Sequence, residues 1–281
     1  MNKRKRFQEL TIRDNFMFAA VMMFNDNCKK FLEMLLKIEI KKIVIGYEKS
    51  LIYNPECKGV RLDVYANDEN NTRYDIEMQV AEQELGKRTR YYHSQMDMDI
   101  LESGHEYREL PAAYVIFVCN FDPFKKGKYC YTFENRCIED LSMSMGDESR
   151  SIFLSTEGKD VEGIPEELLA FLKFVKEDTP ENDTKTENAY IKELQWSIRR
   201  VKENRELERS FMSLEDIRKA GKVEGIREAV LELLGELGEV PSAIRCRIMS
   251  ENDIMLLKTM LKMAKRAKDF NDLEQELTNL Q

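Results

Sequence analysis

Histidine, tryptophan and proline are scarce in this sequence, at two, one and six of 281 residues. Nowhere does it hold the roughly 18 uninterrupted apolar residues that a membrane-spanning helix requires. Its start, Met1-Asn-Lys-Arg-Lys-Arg-Phe7, runs into Gln8-Glu9 rather than into an apolar signal core. These absences predict a protein that stays in the cytoplasm and has no membrane partner. Zinc and disulfide chemistry are equally poorly provided for. The six cysteines (Cys28, Cys57, Cys119, Cys130, Cys137, Cys246) form no Cys-x-x-Cys pair and have no histidine at zinc-ligand spacing. They read as reduced, mostly buried thiols, and His93 and His105 as helix-surface or loop residues. Gly158-Lys159 and Gly221-Lys222 lack the glycine spacing of a phosphate loop, and neither Gly-x-Ser-x-Gly nor His-Glu-x-x-His occurs. Nucleotide hydrolases, serine hydrolases and zincins therefore have no support.

What the chain does have is 42% hydrophobic and 34% charged residues, the latter above the usual quarter or so, as in helix-rich soluble proteins with solvated faces. Its length suffices for a full core plus a smaller second domain. A net charge of -8 and a pI near 5.2 argue against nonspecific coating of nucleic acid. Local charge differs: residues 1–42 carry ten Lys/Arg against five Asp/Glu, and a second basic group follows at Lys87, Arg88, Arg90 and His93. Each run is either a phosphate-facing surface or an ordinary solvated helix face.

Apolar spacing orders the chain. Phe16, Ala19, Ala20 and Met23, then Phe31, Met34, Leu35 and Ile38, recur every three or four residues and predict amphipathic helix broken near Asn25-Asp-Asn27. Three antiparallel strands are expected at 43–53, 60–66 and 74–80, the last two joined by the turn-rich Asn67-Asp-Glu-Asn-Asn71. Helical spacing returns over 82–103, the apolar run 112–119 has the character of a central buried strand, and 129–135 and 151–155 look like further strands. Beyond Ile164 only helix is predicted, at 165–176, 188–219, 223–236 and 252–267, with Pro165 in a first turn and Ser242 as an N-cap. The polar, proline-punctuated stretch 177–186 is the linker candidate. It separates an expected domain at 1–178 from a helical C-terminal region at 187–281.

Alternation along a strand concentrates the chemistry. In Arg73-Tyr-Asp-Ile-Glu-Met-Gln79 one face carries Asp75, Glu77 and Gln79, and the other carries Tyr74, Ile76 and Met78. On the preceding strand Arg61, Asp63 and Tyr65 share a face. Pairing the two polar faces brings Asp63 near Glu77, and two carboxylates at that range repel unless a cation lies between them. Magnesium is commonly held by one or two carboxylates plus water and substrate phosphate, so Asp63 and Glu77 are the candidate ligands for Mg2+ or Mn2+. Any solvated sheet edge shows a polar face too, and spacing by itself does not separate the two cases.

Arg61-Leu-Asp63-Val, then Asp75-Ile-Glu77-Met-Gln79, then Arg88-x-x-x-Tyr92 resembles the recombination-promoting nuclease/putative transposase family, a branch of the PD-(D/E)xK nucleases. The likeness runs from Asp14-x-x-Phe-Met-Phe to the Gly221-x-x-x-Gly225 and Pro241 region. It implies an α/β fold: a restriction-endonuclease-like core, with a mixed central β-sheet flanked by helices, followed here by the helical C-terminal region. It also implies a divalent-metal-dependent DNA endonuclease linked to recombination, transposition or DNA defence, with Asp63, Glu77 and Gln79 catalytic. Asp14 falls at the site's rim, and Arg61, Arg88 and Tyr92 on the substrate side, the last two one helical turn apart and facing backbone phosphate. The superfamily's lysine is here Gln79, and an amide neither takes up a proton nor supplies positive charge. A catalytically inactive nuclease-fold module that binds DNA or protein is the alternative. The amphipathic, highly charged C-terminal region is the expected surface for a homodimer.

Overall fold

The computed structural model describes residues 5–47, 50–51, 60–101, 104, 106–177 and 186–278. Two helices open it, α1 (Asn15–Met22) and α2 (Asn25–Leu36), followed by strands β1 (Ile43–Tyr47), β2 (Ser50–Leu51), β3 (Val60–Arg61), β4 (Val64–Asp68) and β5 (Arg73–Gln79). Helix α3 (Leu85–Ile100) leads to β6 (Ala113–Cys119), β7 (Cys130–Phe133) and β8 (Ser149–Ser155), then α4 (Glu166–Glu177) and α5 (Ala189–Glu203). The main sheet has six strands in the order β1-β4-β5-β6-β8-β7, and β2 and β3 form a separate two-stranded ribbon. Pairing is antiparallel from β1 to β5, parallel from β5 through β6 to β8, and antiparallel again at β7, so the sheet is mixed as expected.

Both faces of the sheet are covered. Tyr74, Ile76 and Met78 are at most 1% exposed and lie on the side packed by α1, α2 and α4. There Tyr74 stacks on Tyr114, and Phe31 of α2 meets Phe171 of α4 at 5.1 Å. The opposite face packs beneath α3, whose Leu85, Tyr92 and Met96 join Val115, Phe117 and Phe153 of the strands. The all-polar edge of β5 is therefore inside the protein. Aligned ladders explain how this happens: Asp75, Glu77 and Gln79 sit level with Val115, Phe117 and Cys119 of β6.

Cα packing divides the chain into compact units at Arg205/Glu206. The boundary expected near 180 lies in 178–185, outside the described residues. Helix α5, assigned from sequence to the C-terminal region, packs with the first unit. Asn27 Nδ2 donates to Ser197 Oγ at 2.8 Å, and Tyr190 OH donates to the carbonyl of Asn27 at 3.1 Å. The second unit holds α6 (Arg205–Gly235) from Glu206 on, α7 (Ser242–Ser250), α8 (Ile254–Ala264) and α9 (Phe270–Thr278) around a core that includes Val230, Leu234, Ile248 and Leu257. Helix α6 is unbroken where two helices were expected around Gly221, and the break falls instead at Asn204. Pro241, not Ser242, is the N-cap of α7, while Asp253 caps α8 by accepting from Met255 and Leu256. Cys28 and Cys119 are buried, Cys130 and Cys137 half-buried, Cys246 exposed, and all five are free; Cys57 lies outside the described residues. Among the described residues no helix is long and apolar enough to cross a membrane.

Candidate active site

Strand β5 turns Glu77 into the interior, where it is 1% exposed. Its partner strand is interrupted just where the site forms. Arg61 ends β3 and Val64 begins β4, with Leu62 and Asp63 between them outside any strand. The expected continuous face of Arg61, Asp63 and Tyr65 is thus broken, although Tyr65 opposes Asp75 in register and Asp63 comes two residues before it, level with Glu77. Side chains replace the missing ladder contacts. The Asp63 N–H donates to Glu77 Oε1 at 2.9 Å, and the Met78 N–H donates to Asp63 Oδ2 at 3.3 Å. Each acid accepts a backbone N–H from the other's strand, and this reciprocal lock holds the two carboxyls together. Asn15, first residue of α1, adds a clamp by donating to Asp63 Oδ2 at 2.8 Å and to the Met78 carbonyl at 3.3 Å.

A third acid completes the group. Asp75 is fully buried, and neither of its oxygens receives a hydrogen bond from a donor among the described residues. Desolvation first, then the Glu77 and Asp63 charges, push its carboxyl well above the usual carboxylate range. Burial, then Asp63, likewise push Glu77 up to about 8. At neutral pH, then, Glu77 keeps its proton more readily than an ordinary carboxyl does. Arg88 on α3 opposes these effects. Its guanidinium donates to Glu77 Oε2 at 2.6 Å, Gln79 Oε1 at 2.8 Å and Tyr92 OH at 2.7 Å, and lies over the rings of Tyr92 and Phe117. Gln79 is held at both ends, since its Nε2 donates to the Ala81 carbonyl at 2.7 Å.

The sequence-predicted residues thus separate into two sets. Asp63, Glu77, Gln79, Arg88 and Tyr92 converge. Arg88 and Tyr92 do so by turning inward, with Tyr92 only 7% exposed, where a phosphate-facing position was expected. Arg61 is exposed on β3. Asp14 accepts from Lys5 and from the backbone and hydroxyl of Thr11, so it shapes the turn before α1, and its neighbour Asn15 makes the contact with the site. Asn15 and Asp75 were missed. Asp75 had a signal, being in phase with Glu77 and Gln79; Asn15 had none beyond its place beside Asp14. The basic N-terminal surplus is partly spent internally, with Arg6 on Glu9 and Arg13 on the carbonyls of Val175 and Lys176. His93, expected at the surface or in a loop, is half-buried between two serine hydroxyls.

For a metal, the donors on offer are carboxylate oxygens, the hard type that suits magnesium or manganese. Among the described residues no group of three or more His, Cys, Asp or Glu is arranged to hold an ion. The fit is with a cation that two carboxylates hold and that takes its remaining oxygens from water and substrate. Unpartnered Asp75 oxygens and an acid cluster with one arginine agree with that fit.

A family model described as PD-(D/E)XK nuclease family transposase matches residues 25–219. That span contains Asp63, Asp75, Glu77, Gln79 and Arg88. Comparison with curated proteins and with solved structures gives no match.

Proposed function

The chain belongs to the PD-(D/E)XK nuclease family of transposases, and with it goes a nuclease-like role; from that premise we propose that it is a magnesium- or manganese-dependent DNA endonuclease. The proposal includes action in the cytoplasm on DNA in recombination, transposition or defence. The observation that carries it is the reciprocal lock between Asp63 and Glu77, which sets two carboxyls side by side at a buried place where their charges repel. Asp63 and Glu77 hold the ion. A divalent cation bound there lowers the pKa of a coordinated water and offsets charge growing on the scissile phosphate. Gln79 fixes Arg88, and Arg88 limits the repulsion around Glu77 until the cation binds. Asn15 and the Met78 N–H orient the Asp63 carboxylate. Exposed Lys87 and Arg90 on α3 supply charge for the DNA backbone. Helix α6 leaves Met212 and Ile217 exposed, which supports a homodimer through the C-terminal unit.

Supercoiled plasmid incubated with purified protein and magnesium or manganese tests this. Nicking that stops with chelator and is lost in Asp63→Asn and Glu77→Gln is the expected result; cutting that survives in both variants refutes it. A second reading, a nuclease-fold module that binds DNA or protein without cutting, draws on Gln79 and on the Arg88 clamp over Glu77. It expects DNA binding indifferent to metal.

A further inference from the structure

Helix α3 has a second polar stripe, Thr89, His93 and Asp97, one turn apart from one another and lying towards β8. These residues border a cavity of about 510 Å3 between α3, β8 and the outer strand β7. That volume lies in the range of small-molecule sites, roughly 300–1,000 Å3. The cavity is walled by aromatic rings: Phe124 stands edge-on to Phe153 at 5.1 Å, and Phe133 does the same at 5.7 Å. Phe133 is 48% exposed, so one wall opens to solvent. The polar floor is built around His93, whose Nδ1 is 3.2 Å from Ser149 Oγ and whose Nε2 is 3.1 Å from Ser151 Oγ. Each hydroxyl keeps capacity for a further hydrogen bond, since it has one donor and two acceptor positions.

The charges narrow the class of ligand. Burial pushes His93 down to about 4, so at neutral pH its ring is uncharged and the floor carries no cation. The half-buried Asp97 adds an acceptor, and Glu134, also at the wall, is already paired with Arg136 and Arg150. An anion such as a phosphate group is therefore disfavoured inside. A flat, neutral ring with both donors and acceptors at its edge matches the walls and the floor. Outside, exposed Arg90 at the border offers a cation for an attached phosphate.

The cavity is also placed to serve the acid cluster. Arg88, which holds Glu77, lies over Phe117; Phe117 stacks on Phe153 at 5.5 Å, and Phe153 lines the cavity. Strand β8 is two steps from β5 across the sheet, roughly 10 Å at about 4.8 Å per step, which is the reach of a few nucleotides of one strand.

We propose that this cavity receives a single unpaired nucleobase, stacked on the half-exposed Phe133 ring and hydrogen-bonded at its edge to Ser149 and Ser151, whose hydroxyls His93 orients. The assignment deepens the nuclease reading and rests on it for the source of the base, a strand held across the site. Nucleobases taken out of a helix are commonly recognised this way, by aromatic stacking plus edge hydrogen bonds.

The test uses the full chain in chelator, so that nothing is cut, and a single-stranded oligodeoxynucleotide carrying one 2-aminopurine. Binding of the wild-type protein should change 2-aminopurine emission. Phe133→Ala, at a half-exposed wall, and Ser151→Ala, which removes the hydroxyl without adding bulk, should each weaken binding about fivefold or more and abolish the emission change, with circular dichroism unaltered. Unaltered affinity and emission in both cavity variants, or no oligonucleotide binding by the wild type, overturns the assignment whatever the plasmid assay gives. An intact emission response without metal-dependent nicking instead sinks the nuclease reading and leaves the base pocket standing.

Discussion

Replacing Arg88 with methionine removes the one cation among the described residues that donates to Glu77 and keeps much of the stem's packing on Phe117. Three hydrogen bonds are lost, to Glu77, Gln79 and Tyr92. The size of the loss depends on whether Glu77 is ionised. A carboxyl whose folded value lies above its unfolded value holds its proton longer in the folded state, so its linkage lowers stability as pH rises. For Glu77 that window runs from 4.5 to about 8. Below the folded value, at pH 6, Glu77 is neutral in the fold, and Arg88→Met breaks bonds to uncharged acceptors, about 1–3 kcal/mol. Above it, at pH 9, the wild-type pair is charged, and losing one member of a buried pair costs about 3–5 kcal/mol. Because Arg88 lowers the Glu77 value, its removal also extends the pH-dependent loss beyond 8. Urea unfolding in chelator, followed through Trp196, measures this. That sole tryptophan packs against Phe24 within the first unit and reports on it. The double variant with Glu77→Gln should recover most of the extra loss at pH 9. Equal losses at both pH values, with no recovery in the double variant, refute the assigned role of Arg88 as counter-charge to Glu77.

Three further outcomes are expected. Gln79→Lys places an ammonium beside Glu77, stabilises the ionised carboxylate and shifts the pH midpoint of metal-dependent cleavage to lower pH; an unchanged or higher midpoint in a pH–rate profile contradicts this. Asn15→Ala leaves Asp63 without its side-chain clamp and should weaken manganese affinity by about 10–100-fold, read by calorimetric titration, with little change in unfolding midpoint. Gly158→Ala drives a Cβ to within 2.4–2.7 Å of the Tyr129 ring and should destabilise the first unit by about 1–3 kcal/mol; a neutral result in urea would show that the ring moves aside freely.

Local periodicity made most of the sheet legible. Period-two alternation located β5 and put Asp75, Glu77 and Gln79 in phase, and the unbroken apolar run 112–119 announced a strand covered on both faces. The bend at Leu62-Asp63 was not legible, because it depends on a carboxylate fourteen residues away accepting the Asp63 N–H. His93 was misplaced for a related reason. Its partners Ser149 and Ser151 arrive from β8, two strands across from β5, and nothing near residue 93 announces them. Helix α6 failed in the opposite direction. Gly221 and Gly225 weaken a helix by about 1 kcal/mol each, a local signal of interruption, yet a helix of 31 residues spans them without a break.

Gln79 and Arg88 together explain how the core tolerates the loss of the superfamily lysine. A lysine at the end of β5 carries its charge on the same strand as the acid, on a flexible stem whose ammonium can hold or release a proton. Here that charge has moved to α3 as a guanidinium, fixed in direction by Gln79 Oε1 and Tyr92 OH and permanently protonated. Glu77 therefore keeps a counter-charge, but the group that provides it cannot accept a proton from water. On the nuclease reading proposed above, proton removal would fall to the carboxylates and to a cation held by Asp63 and Glu77. It follows that Arg88→Lys should restore stability at pH 9 only in part, because an ammonium cannot span Glu77, Gln79 and Tyr92 in one plane. Full recovery of the wild-type unfolding midpoint by lysine would mean that charge alone, without the fork geometry, holds the acid cluster in place.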